Sequence, residues 1–499
     1  MSTTYGKKAN HEDAKTRTKE SQGPLRVLVP SWLLVMIAVT AACGPKTPYV
    51  APAIETPAAF KENANWKPPE PRDAEIRGMW WEMFGDPKLA ELESLVDVSN
   101  QTLQAVAAQF EQARALVRGA RANLYPQVGV APSILAVRPS GNRAISPFHD
   151  PYVDLLLPVA ASWEADVWGR LHGVVDANRA NAQASAADLE TARLSVHSEL
   201  ALDYFTLRGL DREQLLLNTT VAAYQQALEL TQNRFRGGLA SQADVAQAET
   251  QLETTRAQAI DVSAGRQALE HAIAVLVGQP ASTFTIATAP LTNEPPSVPV
   301  SLPTQLLERR PDIAAAERRV AAASAQVGVA TAAYYPILTL SGTAGFESSS
   351  FGSFLAGASN FWAAGPTLLI NVFDAGRRRA VKEQAVGFYN QSTANYRESV
   401  LSAFREVEDQ LSTLRVLDEE ARVQANAVSA SERSLTLATN RYRGGVASYL
   451  EVITAQGFAL ANERTAVSIL TRRMSATVLL LKDLGGGWNV SMLPVVVTK

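Results

Sequence analysis

The side chains that could do chemistry are few and scattered. The chain of 499 residues has one thiol, Cys43, and five imidazoles: His11, His149, His172, His197 and His271. A single cysteine excludes an intramolecular disulfide and any cysteine-based zinc site. No two histidines have the helical spacing of a metal pair, and there is no HExxH. Gly485, Gly486 and Gly487 lack the Lys-Ser/Thr that a phosphate loop requires. Arg377, Arg378 and Arg379 read as a solvated helix start or a lipid-headgroup contact. No nucleophile–base pair stands out, so neither an enzyme nor a bound cofactor or metal is expected. Net charge is −3, with 46% hydrophobic and 19% charged residues. That balance fits a folded protein and lacks the basic excess of a nucleic-acid binder.

Cys43 takes its meaning from what precedes it. Lys7, Lys8, Lys15, Arg17, Lys19 and Arg26 lead into an uncharged apolar run, residues 27–42, that ends in Thr40-Ala41-Ala42-Cys43-Gly44. Sixteen residues rise only ~24 Å as a helix, short of the ~30 Å hydrocarbon core. Residues 1–42 therefore read as an export signal rather than a permanent span. The small-residue exit resembles a bacterial lipobox, which implies diacylglycerol on the Cys43 thiol and cleavage before it. Thr40 stands where that motif usually has leucine.

Two other segments carry closely spaced functional residue types, and they are copies of each other. Residues 230–241 and 437–448 match at eight of twelve positions, 207 residues apart. Gly237-Gly238 and Gly444-Gly445 can supply the left-handed residue that ends a helix. Arg234, Arg236, Arg441 and Arg443 fall in the last turn, where cations suit the helix dipole. Ser241 precedes Asp244 by three, and Ser448 precedes Glu451 by three, which is capping-box spacing for a new helix. Each copy thus predicts a tight antiparallel helical hairpin.

The rest of the chain repeats with them. Residues 120–126 return at 330–336, and 168–170 at 375–377. This is an internal duplication. Prolines mark its long elements: none lies between Pro158 and Pro280, and none between Pro366 and Pro494. Proline costs ~3 kcal/mol inside a helix, so both stretches predict very long helices. A helix over 166–234 would measure roughly 100 Å. Val400, Phe404, Val407, Leu411 and Leu414 are spaced as a coiled-coil seam, as are Val196, Leu200, Tyr204 and Leu207.

After each Tyr-Pro comes β-like sequence: 127–137, 152–163, 337–346 and 361–373. These are about as long as tilted membrane strands. Segments 138–151 and 347–360, rich in Pro, Gly, Ser and Asn, read as loops. Four strands leave two open edges, which lipid does not tolerate. If they span a membrane, several subunits must share one barrel. The fold class is mainly α with a β-barrel contribution, internally duplicated. The organisation is a signal peptide (1–42), a tether (43–87), a first repeat (88–290), a second repeat (291–484) and a tail (485–499).

These pieces match a family. Residues 306–342, with Arg309-Arg310-Pro311-Asp312-Ile313 and Tyr334-Tyr335-Pro336, closely resemble the signature of TolC-like outer-membrane efflux factors. Residues 80–89, 244–249 and 449–456 resemble further segments of the branch formed by the lipoprotein components of resistance-nodulation-division pumps. The resemblance implies a homotrimer with a 12-stranded barrel in the outer membrane and a 12-helix periplasmic tunnel. It implies a passive conduit for small toxic compounds and drugs, served by a periplasmic adaptor (membrane fusion) protein and an inner-membrane pump. The hairpin tips, with Arg234, Gly237, Gly238, Arg441, Gly444 and Gly445, would meet the adaptor. Leu450 and Thr454 occupy the family's two aperture positions; Thr454 replaces the usual aspartate. Alternatives are a conduit of the same fold for type I protein or peptide secretion, and a coiled-coil lipoprotein that conducts nothing.

Overall fold

The helices begin and end where glycine and capping side chains dictate. The computed structural model describes residues 49–54, 56–57, 59–62, 79–140, 142, 150–298 and 307–493, within a unit spanning Pro45–Lys499. The signal segment, Cys43 and much of the tether lie outside the described residues.

A 3-10 turn, Trp80–Phe84, leads into α1 (Pro87–Ser99) and α2 (Gln101–Ala122). The long helix α3 (Arg170–Arg236, 67 residues) returns through α4 (Gln242–Leu276, 35 residues). The second half repeats these elements as α5 (Pro311–Ala332), α6 (Arg377–Arg443, 67 residues) and α7 (Tyr449–Asp483, 35 residues). Long helix and return helix recur with identical lengths, 207 residues on: the same Gly-Gly stop closes each long helix, and a left-handed glycine, Gly278 or Gly485, follows each return helix. At 1.5 Å per residue each 67-residue helix spans about 100 Å.

The seams are buried as their spacing predicts. Val400, Val407 and Leu411 are fully buried, as are Leu200, Tyr204 and Leu207. α3 packs on α4, α5 and α7, and α6 packs on α5 and α7. The short helices lock onto the hairpins by one device used twice. Asn100 caps α2 through the Leu103 N–H (3.0 Å) and donates to the Leu276 carbonyl at the end of α4 (2.8 Å). Arg310 stands before α5 and donates to the Asp483 carbonyl at the end of α7 (3.3 Å). No described helix is long and apolar enough to cross a membrane.

The sheet is antiparallel: β1 (Gln127–Val130) and β2 (Ser133–Val137) pair side by side with β3 (Tyr152–Ala165), then β4 (Ile337–Ser348), then β5 (Asn360–Leu369). β3 and β4 each run two residues past their expected ends, and the other two strands depart from expectation at prolines. The segment 127–137 is interrupted at Ala131-Pro132, because Pro132 has no N–H to give the ladder. Register is unbroken across the gap, Val130 facing Val159 and Ser133 facing Leu156, so β1 and β2 are one strand with a proline break. β5 stops at Leu369 rather than at 373. Leu369 pairs with Ile337, and the next partner would be Pro336, which again lacks a donor. Val372 and Phe373 are left exposed beside the start of α6. Gly345 is obligatory at the β3–β4 contact: a Cβ there would sit 2.1 Å from the Leu157 carbonyl oxygen.

Alternation gives the sheet two unlike faces. Reading across the register, Val128, Val159, Trp163, Leu340, Phe346 and Trp362 share one face. Ser133, Asp154, Ser162, Thr339, Thr343 and Glu347 share the other. Both edges, β1/β2 and β5, are unpaired among the described residues.

Candidate functional site: the hairpin tips

Each tip is built by the end of one helix and the start of the next. In the first, the Gly238 N–H donates to the Phe235 carbonyl (2.9 Å) and the Leu239 N–H to the Arg234 carbonyl (2.8 Å). In the second, Gly445 donates to Tyr442 (3.0 Å) and Val446 to Arg441 (3.1 Å). Both are Schellman closures. The left-handed residue is the second glycine of each pair, Gly238 (φ 75°) and Gly445 (φ 76°). Gly237 and Gly444 are ordinary right-handed residues whose added Cβ would meet nothing closer than 3.5 Å.

The starts of the return helices differ. Ser241 and Asp244 form the full capping box: the Asp244 N–H donates to Ser241 Oγ at 3.2 Å, and the Ser241 N–H to the Asp244 carboxylate at 2.8 Å. Ser448 has the same spacing to Glu451 but makes no side-chain cap. The Glu451 carboxylate instead lies 3.8 Å from Arg441, a contact that its longer side chain reaches. The expected second capping box is not formed.

The arginines differ as well. Arg234 crosses from the first hairpin to the second. It donates to the Tyr442 carbonyl at 2.9 Å and the Arg443 carbonyl at 3.4 Å, and lies over the Tyr442 ring, 4.6 Å from its centroid. It thus places a cation on the last carbonyls of α6, where a helix end attracts one. Arg441, its copy, is exposed. Beneath Arg234 the tips share a core of Tyr224, Leu228, Leu252, Tyr442, Tyr449 and Val452. Burial, reinforced by Tyr442 nearby, pushes the Tyr449 phenol up to about 12.

Leu450 is 58% exposed, so most of its surface is free of packing among the described residues. Thr454, one turn on and also exposed, turns its hydroxyl back to the Leu450 carbonyl (2.8 Å). Phe458, 64% exposed, extends the same stripe; its position one turn further on the same face was the available signal, and sequence reasoning missed it.

A second polar assembly, near the middle of the long helices, was invisible in the sequence. The Glu93 carboxylate meets His197 Nδ1 at 2.6 Å in the buried interior, and the Trp81 ring stacks on the imidazole at 4.6 Å. Burial pushes the Glu93 carboxyl up to about 7. Asp97 lies 3.4 Å from the other imidazole nitrogen. Arg310, from the signature block, pairs with Asp312 (2.7 Å) and Glu406 (2.8 Å). Burial and the neighbouring Glu406 push the Asp483 carboxyl up to about 7. Among the described residues, no group of three or more His, Cys, Asp or Glu is placed to hold a metal. These assemblies join α1, α3, α5, α6 and α7, and nothing in their geometry brings a nucleophile to a base.

A family model described as outer membrane efflux protein matches residues 93–279 and again 302–486. The chain belongs to the outer membrane efflux protein family. The twofold match falls on the two copies of the fold. The toluene efflux pump outer membrane protein TtgF of Pseudomonas putida is 32% identical over 438 residues, covering 86% of this chain and 89% of that one. The pyoverdine export outer membrane protein OpmQ of Pseudomonas aeruginosa is 30% identical over 423 residues, covering 84% and 89%. Among solved structures, the outer-membrane channel OprN superposes with a TM-score of 0.83 at 28% identity, covering 89% of this chain and all of that one. This efflux protein is therefore an outer-membrane channel component with a TolC-like fold.

Proposed function

We propose that three copies close a 12-stranded barrel in the outer membrane and a 12-helix tunnel through the periplasm. Together they form a passive conduit for pump-driven export of small toxic compounds. The observation that carries this reading is the sheet: one apolar face, two unpaired edges, and helices about 100 Å long extending from it. Unpaired backbone is untenable in lipid, and copies of this chain supply matching edges. Within each copy, 88–290 and 291–484 act as the two repeats, followed by the tail 485–499. Cys43 carries the lipid, and the tether 43–87 joins it to the body.

The tips then meet a periplasmic adaptor coupled to an inner-membrane pump, and Leu450 and Thr454 line the aperture. Arg234 holds the two hairpins together in the resting state. Adaptor contacts that favour the parted arrangement shift the population toward open. The chain performs no bond chemistry in this scheme. The relatives are named for cargoes as different as toluene and pyoverdine, so the fold alone does not set the cargo.

The test is accumulation of dyes, antibiotics and solvents in the native host with and without the gene. Retention in the deletion, reversed by restoring the gene, is expected. Equal accumulation of every compound, with a change in secreted proteins, would replace efflux by protein secretion.

A further inference from the structure

The strands carry no lysine or arginine, and their three carboxylates are Asp154, Glu164 and Glu347. The register puts all three on the mixed face and none on the apolar one. Glu164, at the helix end of the sheet, is neutralised by Arg170, whose guanidinium reaches it at 3.0 and 2.7 Å. Asp154 and Glu347 sit at the opposite end. Glu347 faces Leu156 on the neighbouring strand, two positions from Asp154, so the two carboxylates are diagonal neighbours. Neither has an ion-pair partner among the described residues. Arg138, one position past the end of β2, falls on the apolar side if the alternation continues.

A barrel turns its apolar face to lipid and its polar face inward. We propose that Asp154 and Glu347 are the charge filter of this conduit. Three copies place six carboxylates around the lumen at the end remote from the helices, favouring cationic and neutral compounds over anions. They hold no ion in a fixed site. They act through their field, which low-dielectric walls focus into the water between them. The inference rests on the trimeric conduit, and it adds a specificity determinant far from the tips.

The test is the reversal potential of the purified full-length protein in planar bilayers under a KCl gradient. Salt is kept below about 0.1 M, where the screening length exceeds about 10 Å. The wild type is expected to pass K⁺ several-fold better than Cl⁻. Asp154→Asn and Glu347→Gln should each lower that ratio, their combination should bring it near one, and Asp154→Lys with Glu347→Lys should invert it. Arg138→Gln, a charge change at the same end on the other side, should leave it unaltered. Each variant is first checked to extract as the wild-type oligomer; where a double variant does not, the two single ones decide. Conducting channels with an unchanged ratio in the carboxylate variants, or an equal shift in Arg138→Gln, would overturn the filter alone. Absence of current from both the wild type and Arg234→Ala would instead defeat the conduit reading beneath it.

Discussion

The two hairpin tips began as copies and no longer do the same work. Their helices stop at equivalent glycines with equivalent hydrogen bonds. Yet Arg234 reaches across to cap the other helix, while its copy Arg441 stays on its own hairpin beside Glu451. Ser241 caps its helix and Ser448 does not. Duplication conserved the backbone turn, whose requirement is conformational, and released the side chains, whose partners depend on what lies opposite. The first tip therefore holds and the second is held.

The largest effect should come from breaking that asymmetry. Arg234→Ala removes charge-assisted hydrogen bonds and a ring contact, and takes from the end of α6 the cation that bonds its last carbonyls. Such bonds contribute about 1.5–3 kcal/mol, which corresponds to a roughly ten- to hundredfold change in the balance of closed and parted tips. Channel opening in bilayers should rise accordingly, and cells should become leaky to large antibiotics. Arg441→Ala, losing only an exposed contact at 3.8 Å, should change either readout by less than about fivefold, since exposed pairs contribute about 0–1 kcal/mol. Equal leak from both variants would mean that the tips are equivalent after all.

The same divergence recurs at mid-height, where it bears on pH. His197 of α3 faces Glu93, whereas the residue 207 positions on is Phe404, half-buried in an apolar setting. Glu93 has its folded pKa raised by burial, from the usual 4.5 to about 7. The folded protein thus binds its proton more tightly than the unfolded chain does. Stability from this group is complete below about pH 4.5 and is lost as pH rises through about 7. Asp483 acts in the same direction. Thermal unfolding of the extracted oligomer should therefore show a downward slope across pH 5 to 7. Glu93→Gln should make that slope shallower without abolishing it, because Asp483 remains. An identical slope in the variant would remove Glu93 from the account.

What was legible in the sequence was whatever local geometry enforces. Proline-free stretches, Gly-Gly stops and a 207-residue repeat located both hairpins, and Pro336 and Pro132 mark two of the places where the strands depart from the pattern. The first long helix, expected over 166–234, runs from Arg170 to Arg236, starting after the left-handed Gly169 and ending at Gly237. Contacts between distant segments were not legible. Nothing near Arg234 indicates that it would bond to Tyr442, 208 residues away, and nothing near Glu93 points to His197. Capping-box spacing occurs twice, but only Asp244 uses it, because Glu451 has a competing cation. The family signature around Arg310 was conspicuous as a string, but its work of tying α5 to the middle of α6 and the end of α7 required the packed structure.

A sharper comparison lies within each glycine pair. Gly238 and Gly445 adopt the left-handed region, which costs a side-chain-bearing residue about 1–2 kcal/mol. Gly238→Ala and Gly445→Ala should each destabilise a tip by about that amount, read as faster protease nicking at the loop. Gly237→Ala and Gly444→Ala should be neutral or slightly protective, because alanine suits a helix better than glycine. Protease sensitivity rising equally at both members of a pair would show that the first glycine serves adaptor docking or loop motion rather than closure.

The smallest difference is the serine cap, and it isolates one hydrogen bond. Ser241→Ala deletes the acceptor for the Asp244 N–H and should cost about 1 kcal/mol of local stability. Amide exchange in the first turn of α4 should then accelerate roughly fivefold, since 1.4 kcal/mol is tenfold. Ser448→Ala deletes no side-chain cap, so the first turn of α7 should exchange at its original rate. If Ser448→Ala accelerates exchange as much as Ser241→Ala, the second tip adopts its own capping box in solution. Glu451 would then have to leave Arg441 to complete it, and the two tips would be nearer to equivalence than their side chains show.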